Sequence, residues 1–496
     1  MRTLLGYAAA ALALIASPLP AQDDPRQAKA RPIIDKAIAY LRAQQDATTG
    51  GWSVPKEGPA FPAISALVLN GMLMDDRIAI DDPTVKRGVA FVLKYRKPDG
   101  GIYDVILPSY NTSICLSMLA RVNTPEARAA IKPAQDFLKS LQFGDGAMVD
   151  GQFAKETGRV SKDHPFYGGI GYGRTGRPDN SNLHFFMQAM QDSGVPEDDA
   201  AVQRALVFLR RTQMLESVND LDFAKGSAQG GFIYANASST ATAGQGQSYG
   251  GEIAESLSGP PGSIALITLH PGADGKPRTL KREEMITRVR KGLAASSVPE
   301  VKAAADAAIV LLGPGDGASS DRFEVRTPIR SQDALLEPMR FVLGDGEVLE
   351  GRVEVRTVPA WQGVSRLRAY GSMTYAGFKS LIYAKLPKTD ARVAGAYDWI
   401  RRNYTLAENP GVGTDGQYYY YLTFARALDA WGEPMIEVIK PDGSKETRDW
   451  AMDLIDQLAS MQNPDGSFRS VDDRWMENNP TLITAYALLA LQHAAK

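Results

Sequence analysis

A glycine-rich turn recurs along the sequence, each time after an amphipathic helix pattern and before a more apolar one. Its versions include TTGGW (48–52), PDGGIY (98–103), QGGFIY (229–234) and NPDGSF (463–468). Self-similarity at intervals of tens of residues indicates a repeat architecture. Glycine provides the positive φ at which a helix ends, and the aromatic residue packs back onto that helix. The repeat therefore limits the possible folds more than any single motif does.

Six amphipathic helix patterns alternate with six strongly apolar ones. The amphipathic patterns include KAIAYLRAQ (36–44) and ALVFLRRTQ (205–213), and the apolar ones include SALVLNGML (65–73) and TAYALLAL (484–491). A helix that is apolar all round must be buried, whereas one with a polar stripe faces water. The alternation predicts an all-α fold, an (α/α)6 toroid of six helix pairs whose inner ring surrounds a central cavity. The predicted caps at inner-helix heads are Asn111, Asp179, Ser372 and Asn479.

The N-terminus and the composition bear on location and partners. The chain begins with one arginine, an apolar run and a small residue, Ala21, before Gln22. This pattern predicts a secretory signal peptide over residues 1–21, so that the mature protein is periplasmic or extracellular. The 55 basic and 57 acidic residues nearly cancel, which argues against nucleic acid as a partner. The single cysteine, Cys115, lies on an apolar helical stripe and cannot form an intramolecular disulfide.

One interval breaks the repeat. After the toroid repeats of residues 22–240, a segment from 262 to 366 has two helix patterns and several strand patterns, and the repeats resume over 367–496. Gly344, Asp345 and Gly346 separate two alternating apolar runs, as in a β-hairpin. These patterns predict a small α/β insertion. A lid, a partner-binding surface and a passive addition are the open alternatives for its role.

The repeats resemble those of the prenyltransferase and squalene-cyclase superfamily. The similarity rests on K-A-x-x-x-L-x-x-Q followed by G-G-W in 36–52, on PDGGIY, on NPDGSF and on TAYALLAL. It covers nearly all of the mature chain except the insertion. The segments YGSMTYAGFKSLIYA (370–384) and QYYYYLTFARALDAWG (417–432) are also similar to an exported bacterial subgroup of these repeat proteins. The resemblance implies a terpene-cyclase-like toroid with an apolar cavity for an isoprenoid-like ligand.

Class II terpene cyclases carry an Asp-x-Asp-Asp run at the head of an inner helix, and its middle acid protonates an alkene or epoxide. The comparable stretch here is DNSN, residues 179–182. Only the first acid is present, and neither serine nor asparagine can donate a strongly acidic proton. Asp179 and the nearby His184 are the candidate catalytic residues. Helix capping and a hydrogen-bonded core histidine are the respective alternatives.

Protein prenyltransferases resemble the same fold and hold zinc with Asp, Cys and His at inner-helix heads. That family has histidine in the last inner helix, where Ile483 stands here, and Cys115 lies in a different repeat from the family's zinc ligand. The Gly-Cys-Gly-Glu-Gln run of complement-like thioester domains does not occur. The sequence therefore predicts no metal site and no cofactor.

Aromatic residues cluster near the heads of inner helices. Their faces stabilise cations and line sites for extended apolar ligands. The predicted ligand-binding residues are Tyr172, Tyr375, Tyr419, Tyr420 and Trp475. Packing of the helix ring is the alternative, since consecutive tyrosines cannot all face one way on a helix.

Two further patterns are candidates for chemistry. The carboxylates of Glu408, Asp415, Asp473 and Glu477 precede inner helices and offer pairs of the kind that glycan-active toroids use. The glycine run from Gly169 to Gly173 follows no strand pattern, so a loop that closely approaches the cavity is favoured over a dinucleotide site.

Three functions remain open at this point. The first is an exported toroid protein that binds, or also transforms, an apolar isoprenoid-like small molecule or lipid in its central cavity. The second is a glycan-active enzyme. The third is a non-catalytic scaffold that binds a protein partner through residues 262–366. The resemblance of the repeats favours an isoprenoid-like ligand, as in the first function. The missing acid and zinc residues argue against catalysis and so favour the third function.

Overall fold

The structure is a computed structural model of the chain. It describes residues 24–144, 160–173, 177–224, 227–236, 367–470 and 474–496, together with short segments between 262 and 358. The predicted signal peptide, residues 1–21, lies outside the described residues. None of the helices within these ranges is both long and apolar enough to cross a membrane.

The predicted all-α fold is confirmed, and helices alternate between outer and inner positions throughout the described ranges. In chain order they are α1 (Pro25–Ala43), α2 (Pro62–Met72), α3 (Pro83–Leu93), α4 (Pro108–Leu119), α5 (Pro125–Ser140), α6 (Asn180–Asp192), α7 (Ala200–Thr212), α8 (Gly371–Tyr383), α9 (Ala391–Arg402), α10 (Gln417–Trp431), α11 (Trp450–Met461) and α12 (Pro480–Ala494). The even-numbered helices are the six apolar patterns of the sequence. The odd-numbered helices are the six amphipathic patterns.

The six inner helices form a closed ring. Helix α2 packs on α4, α4 on α6, α6 on α8, α8 on α10, α10 on α12, and α12 packs back on α2. The outer helices cover this ring, with α3 on α2, α5 on α4, α7 on α6, α9 on α8, α11 on α10 and α12, and α1 on α12. Every residue of α2 is buried, as expected for a helix that is apolar all round. The architecture is therefore an (α/α)6 toroid.

The recurring glycine has the same role in five turns. Gly50, Gly100, Gly168, Gly230 and Gly466 all have φ between +80° and +92°. A Cβ atom on any of them would lie between 1.8 and 2.9 Å from a backbone carbonyl oxygen of the next outer helix. The last turn contacts α1 through Lys36, so the contact also closes the outer ring. Glycine is required both for the left-handed backbone and for the close approach.

A glutamine at the end of four outer helices braces the same turn. The Nε2 group of Gln142 donates to the carbonyl oxygens of Gly168 and of Ala201, at the start of the next outer helix, both at 2.9 Å. Equivalent pairs of hydrogen bonds come from Gln45, Gln213 and Gln462. The bracing residue of the first repeat is thus Gln45 and not Gln44, on which the sequence resemblance rests.

Replacement of Gln142 by alanine should destabilise the protein by about 2 kcal/mol, because two carbonyl groups lose their donor in a buried site. Urea unfolding monitored by circular dichroism measures the change. The matched control is Gln203→Ala, since Gln203 is exposed and donates to the carbonyl of Glu197 at the surface. Equal losses for the two variants would contradict the bracing role.

Two of the four predicted caps are correct and two are wrong. Asp179 and Asn479 are the N-caps of α6 and α12. Asn111 and Ser372 lie inside α4 and α8 instead, because those helices begin earlier, at Pro108 and Gly371. The Asn111 Oδ1 atom accepts the N–H of Ala63 in the neighbouring α2. A polar side chain of one repeat can therefore cap the inner helix of another, which no single repeat reveals.

Within the described residues, strands occur in the insertion and at two places in the toroid. They are β1 (Gln213–Leu215), β2 (Ala228–Phe232), β3 (Gly262–Leu269), β4 (Leu280–Lys281), β5 (Ile309–Leu312), β6 (Ser319–Ser320), β7 (Arg322–Thr327), β8 (Phe341–Val342), β9 (Val348–Leu349), β10 (Gly351–Val358), β11 (Met435–Ile439) and β12 (Lys445–Asp449). The insertion contains an antiparallel sheet in the order β10-β3-β7-β5 and a helical turn over Pro299–Ala303.

One hairpin was predicted from the sequence, and another was not. Strands β8 and β9 pair on either side of the predicted turn at Gly344–Gly346, while the turn itself lies outside the described residues. Between α10 and α11, β11 and β12 form a hairpin that the sequence analysis missed. The Asp442-Gly443 pair between two short alternating segments was the available signal.

Candidate functional site

A cavity of about 200 Å³ lies at the N-terminal ends of the inner helices. All six inner helices contribute side chains from near their starts, among them Ile64, Leu67, Tyr110, Ser181, Met373, Tyr419, Leu482 and Tyr486. The wall is chiefly aliphatic and aromatic, with hydroxyl groups as most of its polar atoms. A concave, mostly apolar surface with a few convergent polar groups is the usual form of a small-molecule site.

The mouth of the cavity combines exposed apolar side chains with strained backbone. Trp475 and Met476 line the cavity and are each 39% exposed. Leu107 also lines it, and the exposed Val105 and Ile106 directly precede Leu107. Leu107, Trp475 and Met476 all have positive φ, between 52° and 66°. Non-glycine residues adopt this conformation at a free-energy cost, and they cluster at functional sites.

Three of the five predicted ligand-binding residues lie on the cavity wall, and two lie behind it. Tyr172, Tyr419 and Trp475 line the cavity. Tyr375 and Tyr420 do not: their rings pack against each other with centroids 5.7 Å apart, and both also contact Phe424. The Tyr420 hydroxyl donates to the Thr405 carbonyl at 2.7 Å. These two tyrosines pack α8 against α10, which agrees with the alternative role of helix packing.

Tyrosines that the sequence analysis did not single out complete the wall. Tyr110, Tyr234, Tyr370 and Tyr486 also line the cavity. The hydroxyl oxygens of Tyr172 and Tyr234 lie 2.9 Å apart. Burial raises the pKa of Tyr234 and Tyr419 well above the usual value, so both hydroxyls stay protonated. These tyrosines therefore give the wall hydrogen-bond donors and aromatic faces, and they add no charge to it.

Asp179 is a buried cap beside the cavity and not part of its lining. Its Oδ1 accepts the backbone N–H of Asn182 and its Oδ2 accepts the Asn182 side-chain amide, both at 2.8 Å. The Tyr234 hydroxyl is a further hydrogen-bond partner. Burial raises the pKa of Asp179 to about 6, although these hydrogen bonds and Arg177 act in the opposite direction. The Tyr234 hydroxyl connects the carboxyl group with the cavity wall.

His184 lies one helical turn deeper than Ser181 on the cavity side of α6. Its ring is buried against Phe185 and Tyr419, with ring centroids 4.7 and 6.1 Å away. Burial lowers the pKa of His184 well below the usual value, and Lys379 and Arg426 lower it further. The imidazole is therefore neutral and does not line the cavity, so it is badly placed to exchange protons with a ligand there.

Among the four carboxylates considered in the sequence, Glu477 lies on the cavity wall. Its two carboxylate oxygens accept the backbone N–H groups of Tyr418 and Tyr419, at 3.3 and 2.9 Å, where α10 begins. Glu408 lines a different concavity, and Asp473 lies outside the described residues. Glu408 and Glu477 therefore do not face one substrate, as a glycosidase pair must.

The larger concavity, of about 1060 Å³, lies outside the inner ring. Residues from α9, α11 and the β11–β12 hairpin line it. Its charges neutralise one another: Arg448 bonds to Asp453 and Glu446, at 2.7 and 3.0 Å. A polar surface whose ion pairs are already formed offers less to a ligand than the apolar central cavity, despite its greater volume.

The glycine run before α6 packs closely against the start of α4. A Cβ atom on Gly173, whose φ is +118°, would lie 2.4 Å from the Cγ of Pro108 at the start of α4. Cys115 is buried in α4 and burial raises its pKa, so the thiol is an inert part of the core.

No family model and no curated protein matches the sequence. Similar solved structures include a protein from Actinoplanes, at 13% identity and a TM-score of 0.41, which covers 94% of this chain and 100% of that one. Another is a variant of the type II terpene cyclase MstE from Scytonema, in complex with geranylgeranyl dihydroxybenzoate, at 11% identity and a TM-score of 0.26. That alignment covers 95% of this chain and 99% of the cyclase. By its own geometry, the chain is an (α/α)6 toroid protein with an apolar, tyrosine-lined central cavity.

Proposed function

We propose that the protein binds an apolar, isoprenoid-like molecule in its central cavity, and that it does so outside the cytoplasm after removal of residues 1–21. The observation that carries this proposal is the cavity itself, at the starts of the six inner helices. Aliphatic and aromatic side chains there exclude water from an apolar ligand. The resemblance of the repeats to those of triterpene cyclases agrees with that class of ligand.

The volume of the cavity limits how much of the ligand it encloses. A cavity of about 150 Å³ holds benzene. A space of about 200 Å³ thus encloses roughly eight carbon atoms on the same scale, and not a thirty-carbon chain. A longer isoprenoid would leave through the mouth, past the exposed faces of Trp475 and Met476.

Binding, and not protonation of an alkene, is the proposed activity. Carbocation chemistry of the class II type needs a strong acid aimed into a dry cavity. Asp179 instead uses its carboxylate oxygens to accept hydrogen bonds from Asn182. Within the stretch 179–182, Ser181 is the residue that lines the cavity. Residues 262–366 remain a predicted surface for a protein partner.

The direct experiment is mass spectrometry of organic extracts from the exported protein, purified without detergent. We expect a terpenoid or polyprenyl compound in stoichiometric amount, or its uptake from added isoprenoid alcohols of increasing length. A clean extract together with no uptake would contradict the proposal and favour the scaffold function.

Filling the cavity should weaken binding. Ala63 lines the cavity at the start of α2, so Ala63→Phe directs a ring into the ligand space. We expect affinity for the bound compound to fall at least about tenfold, which corresponds to about 1.4 kcal/mol. Ala28→Phe is the control, since Ala28 is exposed on α1. Equal affinities of both variants and the unaltered protein, in a direct binding titration, would place the ligand elsewhere.

A further inference from the structure

Two cationic side chains are buried inside the ring, beyond the cavity. Lys379 of α8 is fully buried and Arg426 of α10 is 3% exposed. Lys379 follows the cavity residue Ser372 by seven positions, and Arg426 follows the cavity residue Tyr419 by seven. Seven residues are close to two helical turns, so both cations lie on the cavity side of their helices, about 10 Å further along the ring axis.

Protein partners for these cations are few among the described residues. The Lys379 ammonium donates to Oε1 of Gln188 at 2.6 Å, and Gln188 donates through Nε2 to Asp192 at 2.9 Å. The Nε and Nη1 atoms of Arg426 are buried and have no hydrogen-bond partner in the described part of the chain. The same holds there for both ring nitrogens of His184 and for the second carboxylate oxygen of Asp192.

The charges of this cluster do not balance. Burial lowers the pKa of Lys379, and the charge of Arg426 lowers it further. Burial likewise lowers the pKa of Arg426, against the attraction of Asp192. Arg121, which is exposed just beyond the end of α4, adds to the repulsion on Arg426. With His184 neutral, Asp192 is the neighbouring carboxylate for two buried side chains that can each carry a positive charge. A buried cation without a counter-charge is strongly unfavourable, so a bound anion would stabilise the charged forms of both side chains.

We propose that this cluster binds one small monovalent anion, of the size of a halide ion, between Lys379 and Arg426. The ammonium and the unpartnered guanidinium N–H groups supply charge-assisted hydrogen bonds to it. His184 carries one N–H in its neutral form and adds a third kind of donor. The site is separate from the ligand cavity and does not depend on what occupies that cavity.

Diffraction from crystals of the full mature chain grown in sodium bromide tests the site without any substitution. We expect an anomalous peak within hydrogen-bonding reach of Lys379 and Arg426. Water alone at that position, with no anomalous signal at saturating bromide, would overturn the proposal. It would mean that solvent and the negative C-terminal ends of the inner helices suffice to stabilise the cations.

Thermal unfolding gives an independent test. At constant ionic strength, replacement of sodium gluconate, whose anion is too bulky to enter, by sodium bromide should raise the Tm by about 3 °C. In Lys379→Met the rise should fall below about 1 °C. In gluconate this variant should be at least as stable as the unaltered protein, because it lacks an unpaired buried cation. Lys86→Met, at an exposed position of α3, should keep the full response. The same response in all three proteins would refute the anion site.

Discussion

Gly168→Ala should destabilise the toroid by more than about 4 kcal/mol. Gly168 has φ of +85°, which alone disfavours alanine by about 1–2 kcal/mol. The added Cβ would also lie 1.8 Å from the carbonyl oxygen of Arg204 in α7, a distance that no relaxation of a side chain can relieve. The turn must move away from α7 and take the hydrogen bonds of Gln142 with it. Urea unfolding at constant pH measures the loss.

Gly194→Ala is the matched control for this variant. Gly194 has nearly the same φ, +79°, but a Cβ there would meet no atom within 4 Å. Its loss should be limited to about 1 kcal/mol, from the left-handed conformation alone. The equivalent contacts of Gly230 and Gly466 are 2.2 Å and that of Gly50 is 2.9 Å, so the losses should fall in that order. Similar losses for Gly168→Ala and Gly194→Ala would show that close docking of the turns does not stabilise the toroid.

Asp179→Asn should remove a pH dependence of stability. The folded pKa of Asp179, about 6, is raised above its ordinary value of 3.8, because burial disfavours the charged form. The folded protein therefore holds this proton more tightly than the unfolded chain does. Its stabilising contribution is fully present below about pH 4 and is lost as the pH rises to about 6. A pKa shift of this size corresponds to about 3 kcal/mol of unfolding free energy. The unaltered protein loses this amount as the pH rises, and the variant does not.

The measurement is the free energy of unfolding of both proteins at several values between pH 4 and pH 7. Asp198→Asn controls for the loss of one acidic residue, because Asp198 is exposed in the turn before α7. We expect its profile to run parallel to that of the unaltered protein, while the Asp179→Asn profile diverges. Parallel profiles for Asp179→Asn would mean that the carboxyl group is better solvated than its burial indicates.

The two residues predicted as catalytic have separate structural roles. Asp179 caps α6 and holds the Asn182 side chain, and a hydrogen bond to Tyr234 connects it with the cavity wall. His184 is one turn deeper and faces the buried cations. The start of α6 therefore has a structural role. It positions Ser181 and a tyrosine hydroxyl at the cavity, where a ligand meets donors and not a strong acid.

Much of the fold follows from local rules. The twelve toroid helices were predicted because a 3.6-residue period and a stop glycine act within single segments. The β11–β12 hairpin was missed because its strands are short and only one residue of β11, Ile436, is fully buried. Asn111 and Ser372 were predicted as caps because the helix starts at Pro108 and Gly371 were placed too late.

The site was predicted less completely. Tyr419 and Tyr420 are neighbours in sequence, but successive residues point about 100° apart on a helix. Which of them faces the cavity depends on how α10 is rotated against α8 and α12. Tyr110 and Tyr486 were not singled out because, in sequence, they look like ordinary residues of apolar helices. Lys379 and Arg426 did carry a signal, as charged residues inside strongly apolar helix patterns.

The sequence by itself thus determined the repeat, the alternation of inner and outer helices and the glycines at which the outer helices end. These features depend on periodicity, on backbone conformation and on the burial of apolar side chains, all of which are local. The tertiary structure alone decided how the ring closes and which side chains meet at its axis. Those side chains come from six helices far apart in the chain, and only the packing of each helix against its two neighbours fixes the rotation that brings them together.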